Sequence, residues 1–369
     1  MNTLVVSYGT NPREMVLQAL AALDVAKALR PAMRIGIKPN LVVEKPASSG
    51  ATTSPEVVAG IIEYLHAAGC KDITILESSA VGHRTERAFA VCGYTRLASR
   101  YGVKLVDLKH DATQKVTAHG QEMRVCRTAL SLDYFINVPV LKAHCQTRLT
   151  CALKNLKGCL PDSEKRRFHT LGLHRPIAAL NQVVKSDLIV VDGLCGDLTF
   201  EEGGNPVAMD QVLVGRDPVL VDAYAATALG YEPLTIPYIR LAAELGLGSA
   251  QCEQADILVL NPEVRPLAAP TVSPLARELS RWVEERSACS ICYGNLLRAL
   301  ACLREDGVLA RLTHKIKIGQ GFRGQGGPGP GVGSCTAGLS LNLPGCPPAT
   351  KDIVKFLNAR LLVSQPGSV

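Results

Sequence analysis

The first hundred residues alternate between strand-like and helix-like hydrophobic periods, and this alternation restricts the folds open to the chain more than any other feature. Residues 4–8 and 34–37 read as strands, and residues 12–23 between them carry apolar side chains at helical spacing. Ser54-Pro55-Glu56 is a helix start, with a capping serine and a proline at the first helical position, and the helix of 57–68 stops at Gly69. A strand at 72–76, a helix over 85–100 and a strand at 103–108 continue the pattern. Strands that alternate with helices pair in parallel, because each crossover helix packs back on the sheet. The expected fold is therefore α/β: a mostly parallel, Rossmann-like sheet domain, followed by a smaller C-terminal segment rich in Gly and Cys.

A further strand at 134–140 leads into a basic segment. Helix signals follow at 149–156 and 177–185, then a strand at 188–191 ending in Asp192-Gly193, helices at 218–229 and 238–245, and a strand at 256–260. After Asn261-Pro262 the character changes to a polar helix reaching Glu285, an apolar helix over 296–303 and a stretch, 319–333, with eight glycines. The reading divides the chain into an α/β domain, 1–262, whose basic cleft segment is 142–175, and a C-terminal region, 263–369.

The start of the chain lacks a secretory signal, and no apolar run approaches the roughly 18 residues of a membrane helix, so a cytoplasmic location is expected. Thirteen cysteines then make a poor disulfide framework: the count is odd and cytosolic thiols stay reduced. Cys70 and Cys92 sit in apolar helical patterns and read as core. Cys289-Ser-Ile-Cys292 places two thiols where one turn can aim both at a metal centre, and Cys335 and Cys346 follow, the last in Pro344-Gly-Cys-Pro-Pro348. Four thiolates meet the requirement of an iron–sulfur cluster, 4Fe–4S or 2Fe–2S, with 4Fe–4S ahead. A structural zinc is the alternative, but such sites more often show two close pairs. Cys302 is a candidate substitute ligand, but it lies in an apolar helical pattern and reads as core. Gly319-Gln-Gly-Phe-Arg-Gly324 matches the dinucleotide fingerprint in letters alone, because Gly and Pro follow it where a helix N-terminus should receive the pyrophosphate.

Residues 142–175 hold eight Lys or Arg against Asp162 and Glu164, a net +6 within a chain of net +7, together with His144, His169 and His174. Such a segment attracts an anion. Lys142 and His144 directly follow a strand, and in an open parallel sheet the carboxyl ends of strands border the ligand crevice. Lys142, Lys154, Asn155 and Lys157 are thus candidate contacts for an anionic small molecule or cofactor. Lys38, Asn40, Glu77 and Asp192, which follow other strands, are expected at the same edge. The plainer reading is a solvated positive helix with structural histidines. Few aromatics lie nearby, which disfavours nucleic-acid binding by stacking.

Lys38-Pro-Asn-Leu-Val42, Thr53-Ser-Pro55, Glu77-Ser78, Pro139-Val-Leu-Lys-Ala-His144, Leu153-Lys-Asn-Leu-Lys-Gly158, Asp192-Gly193, Asp217-Pro218 with Asp222, and the terminal Gly345-Cys-Pro-Pro348 together resemble the iron–sulfur family catalogued as domain of unknown function 362. The central segment is more distantly similar to the nickel-pincer lactate racemase superfamily, in which a His precedes a cofactor-bearing Lys by ten positions and another His follows. That resemblance would give Lys154 a covalent or anion-binding role and make His144 and His169 acid/base groups.

Three functions follow as expectations. The first is a redox enzyme or electron-transfer protein with a redox partner protein and an anion in the Lys/His-lined cleft. The second is a racemase-like or isomerase-like enzyme using His144 and His169 with a structural cluster. The third is a non-catalytic binding protein.

Overall fold

A computed structural model describes residues 3–200, 205–266 and 273–362. The chain forms two compact units, one of residues 1–168 and 173–272, the other of 169–172 and 273–369.

The first unit is mixed α/β around an eight-stranded, mostly parallel sheet. Its strands are β1 (Thr3–Tyr8), β2 (Ile35–Pro39), β3 (Ile73–Glu77), β4 (Lys104–Asp107), β7 (Tyr134–Val138), β10 (Leu188–Asp197), β11 (Pro206–Gly215) and β12 (Asp256–Leu260), with two hairpins outside it, β5 (Thr113–Ala118) with β6 (Gln121–Cys126) and β8 (Lys142–His144) with β9 (Arg148–Thr150). The order across the sheet is β12-β1-β11-β10-β7-β2-β3-β4, and only β11 runs antiparallel to its neighbours. The inner strands β1, β2 and β7 are buried on both faces and read as nearly continuous apolar runs. Leu4, Val6, Phe135, Ile189 and Val191 pack into one core layer, while Val5, Ile37, Ile136, Val190 and Val212 pack into the other.

The helix starts behave as their caps require. Ser54 accepts the Glu56 N–H at the head of the helix Pro55–Ala67, and Asp217 accepts those of Val219 and Leu220 at the head of Pro218–Ala228. Elsewhere the molecule departs from the pattern of the sequence. The helix expected over 85–100 is two helices, Thr85–Val91 and Tyr94–Tyr101, because Gly93 at φ +85° turns the chain between them. The helix expected over 149–156 begins as β9, followed by a single turn, Ala152–Asn155, and a 3-10 turn, Leu156–Cys159. The charged run 162–167 lies in the helix Asp162–Thr170. β11 and the β5–β6 hairpin were not anticipated.

The second unit holds a parallel four-stranded sheet, β13 (Val283–Glu285), β14 (Ile316–Ile318), β15 (Gly327–Val332) and β16 (Leu339–Leu343), in that order. The helices Ser290–Glu305 and Thr350–Leu362 pack on each other, and Leu296, Leu300, Ile316, Ile318, Val332 and Ile353 are buried. Of the polar helix expected to reach Glu285, residues 267–272 lie outside the described residues, and the described part is only a short helix, Leu275–Leu279, followed by the 3-10 turn Ser280–Trp282 and the strand β13, which pairs with β14 instead of continuing the helix. Among the described residues, no helix is long and apolar enough to cross a membrane.

Candidate functional site

Because β10, β7, β2 and β3 are neighbours running in one direction, their carboxyl ends share one rim of the sheet. Register places Lys38 beside Asn137 and Pro39 beside Val138 at this rim. Lys38 is fully buried, and its Nζ donates to Glu77 Oε2 at 3.0 Å, to the Pro39 carbonyl at 3.0 Å and to Asn155 Oδ1 at 3.4 Å. Glu77 also accepts the backbone N–H groups of Leu41 and Ser78 at 3.0 and 2.7 Å. The Asn155 amide turns back to Asn137 Oδ1 at 2.8 Å, and Asn137 donates to the Ala152 carbonyl at 2.9 Å. Such a paired and hydrogen-bonded charge is tolerable inside a protein where an isolated one is not. Gly158 closes over the pair so tightly that a Cβ there would lie 2.0 Å from Glu77 Oε1 and 2.5 Å from Lys38 Nζ.

Lys142, also fully buried, donates to the Ala51 carbonyl at 2.6 Å and to Asn40 Oδ1 at 3.4 Å. Thr53 bonds the Asn40 backbone and the Val138 carbonyl, fixing this corner to the end of β7. Asp192 accepts the Ser54 and Leu194 N–H groups at 2.6 and 3.0 Å, while burial pushes its carboxyl up to about 6. Lys154 is buried and donates to Thr150 Oγ1 at 2.9 Å. His144 Nδ1 accepts the N–H groups of Gln146 and Thr147, each at 3.0 Å, which assigns the proton of the neutral ring to Nε2. Lys157 stands half-buried in the 3-10 turn that also holds Gly158. His169 lies near the end of the helix Asp162–Thr170, among the residues that group with the second unit. Lys38, Glu77, Asn155, Asn40 and Lys142 therefore form one continuous rim network through the Leu41 N–H, and the segment that bears Lys154 abuts it.

Two charged residues stand out that sequence reasoning placed low or missed. Asp222, buried on the helix Pro218–Ala228, accepts the N–H groups of Ala152 and Leu153 at 2.6 and 3.2 Å and so anchors the turn bearing Lys154 and Asn155. Burial raises its carboxyl to about 7. Lys165 donates to the Ser78 and Ser79 carbonyls, each at 2.7 Å, and to Ser78 Oγ, and burial followed by the charge of Lys109 lowers its ammonium to about 8. Its place in a run of mixed charges gave no sign of burial.

The four candidate ligand cysteines lie in the second unit. Cys289 is the N-cap residue of the helix Ser290–Glu305, whose first turn contains Cys292. Cys335 sits in the turn Ser334–Thr336, and Cys346 follows β16. Ser334 N–H donates to the Gly345 carbonyl at 2.9 Å and Gly345 N–H to Ser334 Oγ at 3.2 Å, which holds the last two cysteine segments together. Gln320 Nε2 lies 4.0 Å from Cys289 Sγ, and Arg323 Nε donates to Cys335 Sγ at 3.5 Å. The Arg323 guanidinium is held above its ordinary value first by that bond and charge of Cys335, then by the charges of Cys346 and Cys289. Among the described residues, no three His, Cys, Asp or Glu side chains are arranged to hold one metal ion.

Comparison with known proteins places these features. A thylakoid-associated protein of Synechocystis sp. is 27% identical over 237 residues, spanning 61% of this chain and 72% of its own length. The lactate racemase apoprotein of Thermoanaerobacterium thermosaccharolyticum has 14% identity and a TM-score of 0.37. That alignment covers 55% of this chain, which spans about half, 53%, of the racemase; a likeness at this level carries no argument about chemistry. Residues 35–227, more than half of the chain and the whole of the rim network, match the family model described as domain of unknown function (DUF362). The chain belongs to the DUF362 family.

Proposed function

We propose that this chain is an iron–sulfur redox protein in which Cys289, Cys292, Cys335 and Cys346 bind a 4Fe–4S cluster, and in which the α/β unit receives an anionic substrate or cofactor at its Lys-lined rim. The observation that carries the reading is that one loop reaches two of the four thiols, Gln320 Nε2 lying 4.0 Å from Cys289 Sγ and Arg323 Nε donating to Cys335 Sγ at 3.5 Å, while the hydrogen bonds between Ser334 and Gly345 join the segments of Cys335 and Cys346. A single zinc ion would need its sulfurs within about 4 Å of one another, as Zn–S bonds of about 2.3 Å in a tetrahedron require. A cluster takes each thiolate to a different iron and accepts a wider spread of sulfurs. A bound cluster supplies one-electron transfer, with a redox partner protein as donor or acceptor.

On the α/β side, Lys142 and Lys154 would bind the anion, the Asn40 amide would orient it, and Asp192, with a carboxyl near 6, could hold or release a proton close to neutral pH. The test is anaerobic purification with iron, sulfide, nickel and zinc quantified on the same sample. About four irons and four sulfides per chain are expected, falling sharply in Cys335→Ser and Cys346→Ser. One zinc per chain without acid-labile sulfide would sink the assignment.

A further inference from the structure

The glycine motif 319–324 fails as a nucleotide loop, and the structure gives it other work. Gly321 N–H donates to the Arg286 carbonyl at 2.9 Å and Gln320 N–H to the Ser287 carbonyl at 3.2 Å, so the loop lies directly on the backbone leading to Cys289. Only glycine permits that approach: a Cβ at Gly319, where φ is +119°, would lie 2.1 Å from the Arg286 carbonyl oxygen. From this seat two side chains reach two candidate ligands, the neutral amide of Gln320 toward Cys289 at 4.0 Å and the cation of Arg323 to Cys335 at 3.5 Å.

Resting on the cluster reading above, we propose that the 319–324 loop is a charged cradle for the thiolate centre, in which Arg323 raises the reduction potential and Gln320 steadies Cys289. Neither is a ligand; both are positioning residues. Adding one electron adds one negative charge, and a guanidinium against a ligand sulfur stabilises that reduced state more than the oxidised one.

The experiment is a mediated redox titration of the full chain, followed by paramagnetic resonance, with iron and sulfide counted in every sample. Arg323→Gln is expected to shift the one-electron equilibrium about tenfold toward the oxidised form, about 59 mV lower. Arg323→Lys should keep most of the wild-type midpoint, and Gln320→Glu, which places a negative charge beside Cys289, should lower it. An unchanged or raised midpoint in Arg323→Gln at wild-type iron content overturns the proposal. So does an Arg323→Lys midpoint as low as that of Arg323→Gln, because charge would then not be the cause. If Arg323→Gln retains no iron, Gln320→Glu decides: a lowered midpoint supports the proposal and an unmoved one overturns it. Wild-type protein without iron and sulfide removes the cluster reading itself, and this assignment with it.

Discussion

Lys38 and Glu77 illustrate what burial demands of a charged residue. Neither has appreciable access to water, so each depends on the other and on the Asn155 amide, the Pro39 carbonyl and the backbone donors of Leu41 and Ser78. Lys38→Met is expected to lower unfolding free energy by about 3–5 kcal/mol, because it strands Glu77 without its cation. Lys38→Met/Glu77→Gln should recover a large part of that loss, since the amide oxygen still accepts a backbone N–H. Urea denaturation of both variants checks this, and a cost below about 1 kcal/mol for the single change would contradict it. The rim candidates at 38, 40, 77 and 142 were legible because each follows an apolar run in a strand–helix alternation, where chain direction alone decides which edge the residue occupies. Lys165 was not legible, because a lysine in Asp162-Ser-Glu-Lys-Arg-Arg167 looks solvated until the helix turns it onto Ser78 and Ser79.

The elements most visible in the sequence carry strong local signals. Strand β12 and the helices headed by Ser54 and Asp217 have period or cap written into a few adjacent residues. Those missed depend on distant partners. β11 starts with half-exposed, mixed residues and becomes a strand by pairing with both β1 and β10, and β5–β6 is set by a left-handed turn at His119-Gly120. Asp217 caps the helix that carries Asp222 and also accepts the Ser249 N–H at 2.8 Å. Asp217→Ala should therefore cost about 2 kcal/mol, the upper end for a lost cap. Thermal or chemical unfolding would show it, and a change within about 0.5 kcal/mol would mean that the three donors find other acceptors without loss.

At the scale of the molecule, the buried carboxyls couple stability to pH. Asp192 and Asp222 have folded values near 6 and 7, above the unfolded carboxylate range, so between about pH 4 and 7 the folded chain holds protons that the unfolded chain has released. Their contribution is greatest below that window and is lost as pH rises through it. Lys165 acts in the opposite sense at higher pH: its ammonium is lowered to about 8, so its contribution is lost as pH falls toward that value. Unfolding free energy measured from pH 4 to 7 should fall less steeply in Asp222→Asn than in the unaltered chain. Equal slopes would show that Asp222 does not carry this linkage.

The lysines of the rim are already occupied by oxygen atoms of the protein, and this sets the terms on which anything else could bind there. A newcomer reaching Lys142 must displace the Ala51 carbonyl and the Asn40 amide oxygen, so association is an exchange of acceptors rather than the filling of a vacancy. A neutral oxygen gains little from such an exchange, whereas a fully charged one forms the stronger, charge-assisted bond. An acceptor that made this exchange would be favoured for its charge before its shape.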